Sequence, residues 1–208
     1  MRKFSIFIIA SLLATHYVSA QEEDTELNIA LKKNTNISLT ENAQGMTELT
    51  SPRLIRVMGG KENALKLFKE SYLSLGNQGL KIDTVINYTD TGIFETNKIR
   101  FSFIPQLLVM SIPDADKKMM NVTTLMGIKE SGTRGWSFID YNLLSKENFE
   151  MLFPELKDDI TFPRNISPKP LVIPKEETSH AIDYLMRIID ESVKKGKAMA
   201  REQGPIGD

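Results

Sequence analysis

Four side chains in this sequence could do chemistry from one shared pocket: Arg100, Asp140, Tyr88 and Trp136. Asp140 ends an alternating apolar run, two residues after Phe138 and beside Tyr141. A carboxylate among aromatic rings has a raised pKa when it is desolvated, and can bind a polar ligand or act as a base. The same position also suits a plainer task, capping the following turn with its side chain. Arg100 lies between Ile99 and Phe101 on a strand-like run. Its guanidinium could grip an anionic ligand through two parallel hydrogen bonds, or sit on the solvent side of a half-buried strand. Tyr88 or Arg100 could orient a substrate toward Asp140, and Trp136 is a further ligand-binding candidate.

Other chemistry lacks its residues. Cysteine is absent, so there is no thiol nucleophile, disulfide or cysteine-held metal. Beyond residue 20 the only histidine is His180, which cannot form a two-histidine metal motif. Met119, Met120 and Met126 could suit Cu(I), but neighbouring strand residues face opposite ways, and core filling is the simpler use. No G-x-S-x-G nucleophile turn occurs. Gly59-Gly60 separates two helical patterns rather than following a strand, so it reads as a hinge, not a phosphate loop. The run 131–136 resembles the Asp-box hairpin of sialidases, but it lacks the Asp and has three residues between Gly132 and Trp136. It reads as a single hairpin turn. No cofactor and no metal are expected.

The elements that must position these residues follow from periodicity. Residues 21–50 are polar and lack a sustained apolar period, which predicts a loosely attached arm. Ser51-Pro52 starts a short helix that breaks at Gly59-Gly60. A second helix over 61–75 carries one stripe, Ala64, Leu65, Phe68, Tyr72 and Leu75, and Gly76 is the expected cap. Strands follow over 80–86, from Ile99 to Pro105, over 107–112, 119–129 and 136–140, joined by turns rich in Gly, Pro, Asp and Ser. Pro105 is expected to end or bulge its strand. Lys146–Leu152 is a short helix with Phe149, Leu152 and Phe153 facing inward, closed by Pro154. Prolines 163, 168 and 170 mark an extended stretch. A last amphipathic helix over 176–202 buries Ile182, Leu185, Met186, Ile189 and Val193. Its cations Lys194, Lys195, Lys197 and Arg201 suit either an anionic partner or the helix C-terminus.

Consecutive strands on tight turns pair antiparallel. The fold class is therefore α+β, a curved antiparallel sheet packed on helices, with a cystatin-like or NTF2-like cone as the analogy of element order. The expected divisions are 1–20 leader, 21–50 arm, 51–174 domain, and 175–208 helix and tail.

The segment Gly135-Trp136-Ser137-Phe138-Ile139-Asp140, followed by Leu152-Phe153-Pro154-Glu155-Leu156 and Ile160-Thr161-Phe162-Pro163, resembles a group of small exported bacterial proteins. They share a W-x-F-x-D strand and a short helix ending in F-P. The resemblance covers about residues 60–163, implies the fold and an exported address, and carries no catalytic residue across.

The address is also readable directly. Met1-Arg2-Lys3 is positive, Phe4–Ala14 is apolar, and Val18-Ser19-Ala20 offers small residues for cleavage. That order defines a secretory leader too short to span a bilayer. Without it the chain carries 24 basic and 27 acidic residues, a balance that points to neither nucleic acid nor disorder throughout. Four Asn-x-Ser/Thr triplets, at Asn36, Asn87, Asn121 and Asn165, stand against about two expected by chance, and so short a motif is read as noise. The combined expectation is a soluble periplasmic or secreted bacterial domain, without stable membrane insertion or nucleic acid. It would be non-enzymatic, binding a small-molecule ligand or an envelope protein. A simple acid–base enzyme built on Asp140 is the alternative.

Overall fold

A computed structural model describes residues 25–96, 98–113, 115–133, 135–156 and 169–202, with side chains described only up to Lys197 in the last stretch. The leader, residues 1–20, lies outside the described residues, as do Pro163 and Pro168, Ile160–Pro163 of the resemblance, and the side chain of Arg201. In chain order the helices are α1 (Thr25–Leu39), α2 (Ala43–Leu49), α3 (Pro52–Val57), α4 (Lys61–Asn77), α5 (Lys146–Leu152) and α6 (Thr178–Glu202). The strands are β1 (Lys81–Asn87), β2 (Phe94–Glu95), β3 (Ile99–Ser111), β4 (Lys117–Glu130), β5 (Ser137–Asp140) and β6 (Leu171–Pro174).

One hairpin organises the rest. β3 and β4 pair antiparallel without a bulge, from Ile99 opposite Glu130 to Ser111 opposite Lys118. Each outer edge of this hairpin carries two strands end to end. β1 lies beside residues 106–111 of β3, and β2 beside Arg100 and Phe101. β5 lies beside residues 125–128 of β4, and β6 beside residues 117–120. The open antiparallel sheet therefore reads β2-β3-β4-β5 at its base and β1-β3-β4-β6 at its tip, the end of the hairpin turn. With six α-helices around it among the described residues, the fold is α+β.

Alternation along the hairpin sorts the side chains onto two faces. Face I carries Phe101, Phe103, Leu107 and Val109, with Met120, Met126 and Ile128 opposite them. At the base α5 covers it, and Phe149, Leu152, Phe153 and Leu156 join Phe94, Ile139 and Tyr141 in one buried cluster. At the tip α6 covers it, packing Ala181, Ile182, Leu185 and Met186 on Leu107, Val109, Met120 and Ile173. Face II carries Ile104 and Leu125, and at the base it is covered by Leu27, Leu31 and Ile37 of α1 and Leu49 of α2, with Trp136 and Phe138. Gly127 makes this approach possible, since a Cβ there would lie 3.1 Å from Ile104 and 3.4 Å from Leu27. Met119 and Met120 do point to opposite faces, and Met120 and Met126 are core residues.

Three expectations are corrected. Residues 25–49 are not a loose arm but two helices built into the core, with Leu27, Leu31, Ile37, Ala43 and Leu49 buried. Their apolar period is masked because the inward stripe of α1 also contains Asn34 and Ser38, both buried. Pro105 does not end its strand. Its carbonyl accepts from Tyr88 N at 2.8 Å, so its ring nitrogen faces the same edge, past the end of β1, where no ladder donor is needed. Gly76 lies inside α4, whose C-cap is Gln78, and the left-handed residue that follows the cap is Gly79, at φ +67°. There the Leu80 amide donates to Leu75 O at 2.9 Å, and an added Cβ would lie 2.4 Å from Pro113 of the hairpin turn. Glycine thus serves both the left-handed turn and the close contact.

Candidate functional site

The register of face II lays its polar groups in rows across the strands. Asn87 of β1 faces Gln106 of β3, which faces Thr123 of β4. Gln106 Nε2 donates to Asn87 Oδ1 at 2.8 Å, and Asn87 Nδ2 donates to Thr35 Oγ1 of α1 at 2.9 Å. Thr123 Oγ1 donates to Asp140 Oδ1 at 2.7 Å. Gln106 and Thr123 are buried, so these bonds offset a desolvation cost of about 1–3 kcal/mol for each group left unpaired.

Asp140 adopts the capping role. Its Oδ1 also accepts from Asn142 N at 3.0 Å, closing a 3-10 turn over Tyr141–Leu143. Asn142 Oδ1 in turn accepts from Thr124 N at 3.0 Å. Burial pushes the Asp140 carboxyl above its ordinary value, although the bonds from Thr123 and Asn142 pull the other way. The group is thus in an environment suited to proton transfer, but one of its oxygens already holds two donors.

Arg100 and Trp136 are brought together on face II at the base. The guanidinium carbon lies 5.8 Å from the Trp136 ring centroid, and Arg100 Nε lies 3.8 Å from Glu95 Oε2 across the β2–β3 ladder. Trp136 is buried, and its indole N–H has no acceptor among the described residues. Beside Arg100 on the next strand, Lys129 pairs with Glu26 at the start of α1. Tyr88 is not part of this group. Its hydroxyl reaches to the α6 side and donates to Asp190 Oδ1 at 2.6 Å. Burial, and then this bond, raise the Tyr88 pKa. The four residues therefore occupy three places: Arg100 with Trp136, Asp140 with Thr123, and Tyr88 with Asp190.

Two constellations escape sequence reasoning because each draws on separate elements. Arg53 of α3 donates to Glu130 Oε2 at 3.1 Å and to Leu152 O at 2.8 Å, and pairs with Glu155 Oε1 at 2.7 Å, with its guanidinium 5.1 Å from the Phe153 centroid. Burial alone would raise the Glu155 pKa; the hydrogen bond from Arg53, a backbone hydrogen bond and the charges of Arg53 and Lys98 together outweigh it and hold the carboxyl below its ordinary value. At the tip, Ser111 Oγ donates to Asp83 Oδ2 at 2.6 Å, and Lys118 Nζ lies 2.7 Å from both that oxygen and Ser111 Oγ. A serine beside a lysine suggests a nucleophile and its base. An ammonium held against a carboxylate, however, has no lone pair with which to accept the serine proton. The trio acts as a tie across three strands.

His180 is exposed near the start of α6. Of the cations on that helix, Lys194 pairs with Asp190 at 2.8 Å and Lys197 with Asp90 at 2.6 Å. Among the described residues, no group of three His, Asp or Glu side chains is placed to hold a metal ion. Among the same residues, no helix is long and apolar enough to cross a membrane.

Exposed large apolar side chains include two on β6. β6 pairs on one side with β4, and Leu171 and Val172, 42 % and 50 % exposed, point to opposite faces of this short strand. On face II Val172 continues a row through Met119, Met110 and Ile82 that changes from buried at the β1 side to exposed at the β6 side. Compared with protein-family models, with curated proteins and with solved structures, the chain matches none.

Proposed function

We propose that this protein is an exported, non-enzymatic binding domain that takes up an extended segment of another envelope protein along β6. The observation that carries this reading is a strand that pairs only with β4 among the described residues and has exposed apolar side chains on both its faces. A strand edge offers backbone donors and acceptors to an incoming chain, and flanking apolar side chains give the contact its specificity. The polar candidates add support from the opposite direction, because Asp140, Arg100 and Tyr88 each have partners within the fold. The leader-like residues 1–20 and the resemblance to small exported bacterial proteins support the address.

Native mass spectrometry of the chain purified gently from its export fraction tests the proposal. The expected species is a chain that begins at Gln21 in complex with a second polypeptide, and the complex is lost in a Leu171→Lys, Val172→Asp variant. A small added mass that disappears on denaturation would replace the protein partner with a small-molecule ligand. A bare mass would remove both. The raised pKa of Asp140 favours acid–base catalysis as a second reading. That reading requires Asp140→Asn to abolish an activity while leaving the fold intact.

A further inference from the structure

α6 covers the tip of face I with little fully buried side-chain surface. Ile189 and Val193 are buried, whereas Ala181, Ile182, Leu185 and Met186, which lie on the sheet, stay partly exposed. Two polar clamps to the loop after β1 add to the attachment: Tyr88 with Asp190, and Lys197 with Asp90. The Tyr88 bond is part-buried and Asp90 is half exposed, and contacts of this kind are each worth about fivefold in an equilibrium. Segments with few buried apolar contacts open locally, at free energies below that of global unfolding. α6 is also the last described element, so its departure leaves the pairing of β1 to β5 untouched.

We infer that α6 is a strap, clamped by Tyr88–Asp190 and Lys197–Asp90, that opens independently of the sheet and bares Leu107, Val109 and Met120. The groove it leaves is shaped by its own occupant, an amphipathic helix with Ile182, Met186, Ile189 and Val193 on one side. This goes beyond the role proposed for β6, since it concerns the other face and a surface that is covered at rest.

Hydrogen exchange followed by mass spectrometry on the full chain tests it. Amides of residues 181–196 are expected to exchange at least about tenfold faster than those of β3 and β4. In Tyr88→Phe, which removes one hydroxyl, exchange in α6 is expected to rise about fivefold with β3 and β4 unchanged. Lys197→Gln should act in the same direction. Equal protection of α6 and the hairpin would overturn the inference. So would a Tyr88→Phe variant that speeds both equally, or that leaves α6 as it was.

Discussion

The base and the tip of the sheet share the same two long strands but are held together by different means. At the base, six rings run in contact from Phe94 through Phe101, Phe103, Tyr141 and Phe149 to Phe153, with centroids 4.9 to 5.8 Å apart. α1 and α2 close the opposite face, and Arg53 ties α3 to both β4 and Glu155. At the tip, the buried cluster is four aliphatic side chains under α6, assisted by polar ties at Asp83, Tyr88 and Lys197. Packing dominates one half and directional contacts the other. The two ends of one hairpin are thus held by contacts of different kinds.

The largest effect that would break this comparison is at the base. Phe149→Ala should cost about 3–5 kcal/mol in a denaturant titration, because the ring is buried and the cavity cannot collapse against its neighbours. A loss below about 1 kcal/mol would mean that the aromatic chain is not the principal support. Arg53→Ala should cost about 2 kcal/mol, since it strands two partly buried carboxylates. This variant also sharpens the comparison through pH. A carboxyl with a depressed folded pKa stabilises above its unfolded pKa, and that contribution is lost as pH falls through the folded value. Glu155 behaves this way, so Arg53→Ala should flatten the fall in stability below the ordinary glutamate value of 4.5.

At the tip, Gly79→Ala should cost about 2 kcal/mol, combining a left-handed backbone with a clash on Pro113. Ile182→Ala, on the half-exposed side of α6, should cost about 1 kcal/mol or less. The smallest effect is expected at Asp140. Asn keeps the oxygen that accepts from Thr123 and Asn142, so Asp140→Asn should stay within about 1 kcal/mol of the parent at pH 7. Because burial raises the folded pKa of Asp140, the carboxyl loses stability for the fold as pH rises through that value. Thermal melts at two pH values should therefore show Asn gaining on Asp as pH rises. A gain toward acid would contradict the environment described for this side chain.

Much of the fold was legible in the sequence wherever local chemistry and tertiary packing agree. α5 begins and ends where Ser145 and Pro154 place it, and the five stripe residues of α4 are the residues of that helix shielded from solvent. The failures have one cause, side chains whose partners lie far away in sequence. Asn34 and Ser38 are buried against other elements, so α1 looked too polar to pack. Pro105 is tolerated mid-strand because its edge lies past the end of β1. For the candidate site, residue types offered both a ligand-binding and a capping role for Asp140, and the approach of Arg100 to Trp136 was not read from the sequence because they lie on separate strands. The partner of Tyr88 is 102 residues away and could not be read from it.

The β3–β4 hairpin has a consequence for how the chain assembles. Its contacts join residues close in sequence, beginning with Ser111 and Lys118 beside the turn, so it can close progressively from that turn at low entropic cost. α1 and β6 must instead return to it from opposite ends of the described chain. Substitutions near the turn, such as Val109→Ala, are therefore expected to slow folding, whereas those in α6 should mainly hasten unfolding. The strand pair that divides the finished molecule into two unlike halves is thus also the template on which both halves are laid down.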